Sequence, residues 1–160
     1  MQSRKTNTAN SIILLALIVC YLIPIDIEQV AVHRCAPIWT IFTHQLFHAN
    51  ILHLAGNLYV LLMVRANIKT LIAAYIVSVF TSLLIIEPTV GISGMLYAML
   101  AIIFYKRNVS KKTCLLFVAM NVPMLFIPNI AAMYHITSFA AGYGIGVISK
   151  KIDEYRKFMS

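Results

Sequence analysis

Residues 91–100 read GISGMLYAML. This stretch places Ser93 between two glycines where an apolar run begins, and Tyr97 follows one helical turn later on the same face. Gly91 and Gly94 let the backbone approach closely and leave space around the Ser93 hydroxyl. Such a serine is either the N-cap of a helix, a position that serine favours, or a hydroxyl exposed to a reactant. Polar residues elsewhere in the chain help to decide between these two interpretations of Ser93.

The composition is that of an integral membrane protein. Of the 160 residues, 61% are hydrophobic and only 11% are charged, and the mean hydropathy is +0.85. The formal net charge of +8 comes from small basic groups between long uncharged runs, which is typical of loops flanking membrane spans rather than of a nucleic-acid surface. The three cysteines lie far apart without CxxC spacing, so the sequence predicts neither a zinc site nor a disulfide framework.

Long uncharged runs predict an all-α fold with six transmembrane helices. A span needs about 20 residues to cross a hydrocarbon core about 30 Å thick. Residues 113–149 would measure about 56 Å as a single helix, so we predict two helices broken at Pro128-Asn129, with Pro123 bending the first of them. The predicted spans are 6–25, about 48–64, 70–86, 93–105, 113–127 and 130–149, and the connection 26–47 between the first two leads into the second from Thr43.

The first run, 6–25, also fits a cleaved signal peptide, because it follows the basic residues Arg4 and Lys5. No convincing small-x-small cleavage site follows it, and the next segments are spans as well. We therefore interpret it as the first helix.

The predicted fourth helix, 93–105, is short and central. It reaches only about 20 Å and cannot cross the membrane alone. With its end at Lys106-Arg107 on the inner interface, Ser93 lies about 10 Å below the opposite surface of the core. The backbone before Ser93 must then be buried in protein or line a wet cavity.

The distribution of charge predicts the orientation. Six spans place every lysine and arginine except Arg34 on one side of the membrane. Because cytoplasmic loops carry the excess of basic residues, we expect both termini to be cytoplasmic. The chain is then a single transmembrane domain, 1–160, with a short cytoplasmic head at 1–10 and a cytoplasmic tail at 150–160.

The same topology brings polar residues to one depth. The second, fourth and sixth spans all run from outside to inside, and the polar residues fall in their early portions. A lone buried histidine or asparagine is more often structural, but several such groups at one depth in a membrane indicate a functional site. The residues of this layer are His48, His53, Asn57, Ser93 and His135.

In these residues the chain resembles the rhomboid family of intramembrane serine proteases, in its minimal six-helix form. The likeness covers nearly the whole chain. A GxSG motif alone is a weak signal, whereas three motifs in the same order and topology are a strong one. The matching elements are residues 91–94 with Tyr97, the spacing His48-x4-His53-x3-Asn57 after Trp39, and His135 in the last helix.

The resemblance implies a role for each site residue. Ser93 would be the nucleophile and His135 its general base. His53 and Asn57, with the Ser93 backbone N–H, would form the oxyanion hole, and Tyr97 would pack against the His135 ring. The supporting positions are His44, His48, Gly91 and Gly94.

The resemblance further implies no cofactor and no metal. The substrates would be single-span membrane proteins, cut near the outer surface after the substrate helix enters laterally from the lipid bilayer and partly unwinds. We expect a multi-pass protein of a prokaryotic cytoplasmic membrane, with the site opening to the outside and no nucleic-acid partner.

The chain departs from the family pattern at three positions. Thr40 follows Trp39 where arginine is common, which leaves the anchoring of the first loop open. Ala101 and Ser138 stand where glycines are common. Both are small, so helices four and six can still pack closely, through Gly94, Ala98, Ala101, Ser138 and Gly142.

The acid of a catalytic triad is missing. Asp26, Glu28 and Glu87 belong to outer loops, and the remaining acids, Asp153 and Glu154, belong to the inner tail. A Ser-His dyad is therefore predicted. Because removing the acid of a soluble triad lowers kcat by about 10⁴, we expect a slow enzyme.

Other hypotheses about the function of the protein remain open. A catalytically silent rhomboid-like protein that binds membrane helices would have the same fold but should lack a catalytic residue. A membrane haem or metal protein could use His44, His48, His53 and His135, although His48 and His53 share a helix face poorly. A metal-dependent membrane protease is disfavoured because the sequence has no HExxH motif.

Overall fold

The computed structural model describes residues 2–64, 66–126 and 130–159. Across these residues the chain is helical and has no strand, which confirms the predicted all-α fold. Short 3₁₀ helices lie at His44–Leu46 and Pro123–Phe126. The α-helices are α1 (Gln2–Leu22), α2 (Ile27–Val30), α3 (Thr40–Thr43), α4 (Ile51–Met63), α5 (Ile68–Ser82), α6 (Ser93–Lys106), α7 (Lys111–Ala119) and α8 (Ala132–Met159).

Side-chain caps set the starts of four helices, among them the short α2, where the Asp26 carboxylate accepts from the Glu28 amide. The side chain of Asn50 accepts a hydrogen bond from the His53 amide and begins α4, and Asn67 likewise accepts from Thr70 and begins α5. Ser110 caps α7 in the same way. The caps place the start of α5 at Ile68, two residues before the predicted 70.

The central helix is α6, which packs between α5 and α8. It has 14 residues, about 21 Å, so the predicted short fourth helix is confirmed. Its contact with α8 is close: a Cβ on Gly142 would lie 2.5 Å from the backbone oxygen of Ala98. Ala98, Ala101 and Ser138 are fully buried, so the packing predicted for these small residues is present.

The region after α6 differs from the prediction in detail. The helix α7 ends at Ala119, before Pro123, and a turn leads into the 3₁₀ helix, so the proline follows a short helix rather than bending a long one. The predicted break at Pro128-Asn129 lies outside the described residues. The last helix begins at Ala132 and continues to Met159, so the predicted tail is a helical extension of α8.

The prediction of six crossings stays a prediction. Within the described ranges, no single helix is both long and apolar enough to cross a membrane by itself. One bent pair, Thr40–Leu46 with Ile51–Met63, meets that requirement jointly, with 89° between its two parts. The stretch from Thr43 that was predicted to lead into the second span is therefore bent at 47–50, before α4 begins.

The loop before α4 folds over the Ser93 end of α6. Val32 and Thr89 exchange two backbone hydrogen bonds of 2.9 and 3.0 Å in an isolated antiparallel bridge. The Gly91 amide donates to the His44 carbonyl at 2.9 Å. The loop and the segment before Ser93 thus hold each other in place.

Thr40 anchors this loop. It stands at the position where the sequence alone did not show how the loop is held in place. It is fully buried, and its hydroxyl donates to the Pro37 carbonyl at 2.8 Å. Its own carbonyl accepts a hydrogen bond from His44 Nδ1 at 2.9 Å. Local hydrogen bonds therefore secure the loop without an arginine.

Candidate active site

Ser93 is the first residue of α6 and is not its cap. The N-cap position belongs to Ile92, and no side chain caps the helix. The Ser93 hydroxyl lies 2.9 Å from His135 Nε2, within hydrogen-bond distance. The interpretation of Ser93 as a plain helix cap is therefore wrong, because its hydroxyl faces an imidazole instead of a backbone amide.

His135 lies in the first turn of α8, and Tyr97 fixes the plane of its ring. The two rings are parallel within 1°, with centroids 4.4 Å apart. No atom of the described residues is a hydrogen-bond partner of His135 Nδ1. The imidazole is thus oriented by an aromatic face, in the absence of any described carboxylate behind it.

Asn121 holds Tyr97 in turn, although it was not among the predicted site residues. The Tyr97 hydroxyl donates to Asn121 Oδ1 at 2.7 Å, and Asn121 Nδ2 donates to the Phe117 carbonyl at 3.0 Å. Asn121 is only 3% exposed. A lone carboxamide in the apolar run 113–127 was the signal that could have identified it.

His53 and Asn57 meet at the backbone of Gly91, two residues before Ser93. Gly91 has φ +113°, a conformation that favours glycine. A Cβ there would lie 2.6 Å from His53 Cε1 and 3.6 Å from Asn57 Nδ2. Both polar side chains of α4 therefore reach the start of α6, and Gly91 is required for this approach.

His48 packs behind these two residues. Asn57 Nδ2 lies 3.0 Å from His48 Nε2, and the His48 and His53 rings meet edge to face with centroids 5.0 Å apart. Because a carboxamide nitrogen only donates, His48 Nε2 is the acceptor in this arrangement. One hydrogen of the Asn57 amide remains for another acceptor.

Gly94 gives space to Tyr134, a second residue that was not predicted. A Cβ on Gly94 would overlap the Tyr134 ring. The Tyr134 hydroxyl lies 3.0 Å from His44 Nε2 and hydrogen-bonds with the Ser78 hydroxyl. Tyr134 thus ties α8 to α5 through Ser78 and to the outer loop through His44.

The histidines do not come together around one point. Within the described part of the chain, no group of three or more His, Cys, Asp or Glu side chains could hold a metal ion. His44, His48 and His135 each face a different hydrogen-bonding partner. The interpretation as a haem or metal protein therefore gains no support from the geometry.

The fold and the site together define a helical protein in which a serine and a histidine from two packed helices meet at one end of a bundle. A comparison with known protein families identifies the family to which such a protein belongs. The sequence model of the rhomboid domain matches residues 36–152, most of the chain. The chain belongs to the rhomboid family, which comprises intramembrane proteases and inactive relatives. No curated protein matches it.

Proposed function

We propose that this protein is an intramembrane serine endopeptidase that cleaves membrane-spanning segments of single-span proteins with a Ser-His dyad. The observation that carries the proposal is the 2.9 Å separation of Ser93 Oγ and His135 Nε2. A hydroxyl is a weak nucleophile until an adjacent base removes its proton, and this pair has the required reach.

In the first step, Ser93 Oγ attacks the scissile carbonyl while its proton passes to His135 Nε2. The imidazole must then be neutral with its proton on Nδ1, and it becomes an imidazolium. No described carboxylate stabilises that cation. The face of the Tyr97 ring, stacked against it at 4.4 Å, does so instead.

The tetrahedral intermediate carries its negative charge on the former carbonyl oxygen. Three donors support an oxyanion hole, namely the Ser93 backbone N–H, the free hydrogen of the Asn57 amide and the His53 ring. The approach of His53 and Asn57 to Gly91 supports this assignment. Ser93 stands at a helix N-terminus, whose amides and dipole also favour negative charge.

Collapse of the intermediate breaks the peptide C–N bond. His135 returns the proton to the leaving amine, and Ser93 keeps the acyl group as an ester. A water molecule, deprotonated by His135 Nε2, then attacks the ester and releases the acid, which restores the Ser93 hydroxyl. Without a triad acid, turnover should be slow.

The charge distribution supports the membrane orientation. Six crossings would place both termini in the cytoplasm and open the Ser93 end to the outside, in the cytoplasmic membrane of a prokaryote. The whole chain would act as one transmembrane domain. The buried contact of α6 and α8 at Ala98 and Gly142 supports a rigid frame on which the site is built.

A serine-directed fluorophosphonate tests the proposal. Purified wild-type protein in detergent should be labelled, whereas Ser93→Ala and His135→Ala should not. Thr137→Ala, on the same turn of α8 as His135, is the matched control and should label normally, because its hydroxyl bonds only to backbone carbonyls. Failure of a folded wild-type protein to react would favour the inactive, helix-binding member of the family.

A further inference from the structure

A large, partly open cavity of the described structure lies at the end of the bundle opposite Ser93. It has a volume of about 610 Å³ and is lined by the start of α5, the end of α6 and the second half of α8. None of the residues of the candidate active site lines it. Its volume is within the range of about 300 to 1,000 Å³ that is common for ligand sites.

The charged residues at this cavity come from three different helices. Among the described residues that line it, Lys69, Lys106 and Arg156 are cationic and Asp153 is acidic, which leaves a local charge of +2. Lys106 is partly buried at the end of α6. Cations that line one cavity repel one another, so its net positive charge favours an anion.

Isoleucines form an apolar part of the cavity wall. Ile102 of α6 is 1% exposed and forms its floor, together with Ile145 of α8. Ile148 and Ile152 of α8 are 56% and 46% exposed and carry the apolar surface outward from the cavity. A small hydrophilic anion would make no use of this surface, whereas an acyl chain would cover it.

We propose that this cavity binds the phosphate of an anionic phospholipid, with an acyl chain lying along Ile148 and Ile152. The cations of three helices contact the head group, so a bound lipid holds α5, α6 and α8 together. Basic pockets between helices at the cytoplasmic side of a membrane are suited to anionic head groups. The proposal does not depend on proteolytic activity.

Thermal unfolding in detergent micelles tests the site, because a ligand that binds the native state raises the Tm. Three additives are compared: phosphatidylglycerol, phosphatidylcholine and inorganic phosphate. We expect phosphatidylglycerol alone to raise the Tm of the wild-type protein. An equal rise with phosphatidylcholine would overturn the requirement for an anion, and an equal rise with inorganic phosphate would overturn the assignment to a lipid.

Variants distinguish lipid binding in the cavity from attraction of the lipid to the basic surface in general. Lys106→Gln and Arg156→Gln should each weaken phosphatidylglycerol binding about fivefold, as expected for about 1 kcal/mol per cation. Lys111→Gln and Lys151→Gln are matched controls, since both lysines are exposed and neither lines the cavity. Lys106→Arg keeps the charge and should keep the lipid effect.

Equal losses in the cavity variants and their controls would show diffuse attraction to the surface and overturn the site. Should Lys106→Gln fail to fold, Ile152→Ser provides the second measurement, because it removes apolar wall and leaves every charge. It should weaken binding of phosphatidylglycerol. Unchanged binding in Ile152→Ser would overturn the placement of the acyl chain.

Discussion

The phenol ring of Tyr97 lies parallel to the imidazole of His135, and the same tyrosine donates its hydroxyl to Asn121. The proposed general base is therefore positioned through a chain of contacts that starts at the turn after α7. The centroids of the two rings are 4.4 Å apart, and the hydrogen bond from the Tyr97 hydroxyl to Asn121 Oδ1 is 2.7 Å long.

Asn121→Ala tests this chain. Loss of one hydrogen bond, worth about 0.5 to 1.5 kcal/mol, should lower kcat severalfold with little change in KM, because the base is misaligned while the substrate still binds. Tyr97→Phe should do the same, and the double variant should be no worse than either. Cleavage of a membrane substrate in liposomes is the measurement.

Met120→Ala is the control for Asn121→Ala, since Met120 is the adjacent residue and is 72% exposed. It should leave kcat unchanged. Additive effects of Tyr97→Phe and Asn121→Ala would contradict a positioning role that acts through one hydrogen bond.

The dyad itself predicts non-additive losses. Ser93→Ala and His135→Ala should each abolish cleavage, and the double variant should be little worse, because the two residues act as a unit. EDTA should have no effect on the wild-type rate. Loss of activity with EDTA and recovery with zinc would instead indicate a metal-dependent reaction.

Asn57→Ala separates oxyanion stabilisation from structural support. Removal of a donor to the transition state should lower kcat about 10² to 10³, equivalent to about 3 to 4 kcal/mol, with nearly unchanged substrate binding. Ser93 should still react with a fluorophosphonate, though more slowly. The measurement pairs kcat with the Tm in detergent.

Asn50→Ala is the matched control, because Asn50 caps the same helix through the His53 amide. It should lower stability by about 1 kcal/mol and leave activity normal at low temperature. The oxyanion assignment fails if Asn57→Ala behaves as Asn50→Ala does, with a lowered Tm and normal activity after cooling.

Substitution of two glycines of α8 by alanine should have opposite effects on the stability of the protein. A Cβ on Gly142 would meet the Ala98 backbone, so Gly142→Ala should destabilise the protein by about 1 to 3 kcal/mol. Among the described residues, apart from the adjacent ones and the helix's own backbone, no atom lies within 4 Å of a Cβ on Gly144, and Gly144→Ala should be neutral or stabilising because alanine favours helices. Thermal unfolding of both variants checks this. Equal stability would contradict the close contact.

Cysteine accessibility tests the orientation. Tags near residues 30 and 88 should react with a membrane-impermeant reagent from outside, and tags near 67, 109 and 158 only from inside, because of the distribution of basic residues. Tags in these loops lie outside the proposed spans. An outside C-terminus would contradict both the six crossings and the common depth of the polar residues.

The sequence predicted the features that depend on local spacing and composition. The short helix α6 and the small residues facing α8 follow from residues whose types restrict what they can do. The approach of Ser93 to His135 was instead expected from the common depth of the predicted spans and from the resemblance to the family. The roles of these residues in a reaction stay predictions. The start of α5 was misplaced by two residues because the capping by Asn67 was not recognised.

Asn121 and Tyr134 were missed because their importance depends on contacts between distant segments. In the sequence, Tyr134 looks like another apolar residue of the last helix. In the structure, its hydroxyl lies within hydrogen-bond distance of His44 Nε2, 90 residues away along the chain. Asn121 lies 24 residues from Tyr97. No local pattern encodes such pairs, since they arise only when the helices pack.

The continuity of α8 makes the position of His135 sensitive to tilt. The helix runs unbroken from Ala132 to Met159, about 42 Å, and meets the backbone of α6 at Gly142. His135 lies about 10 Å from that contact along the axis. A rotation of about 6° around it would displace the imidazole by about 1 Å and break its hydrogen bond with Ser93. The predicted crossing of the membrane by α8 would make the alignment of Ser93 and His135 respond to bilayer thickness, because a long helix accommodates a thinner bilayer in part by tilting.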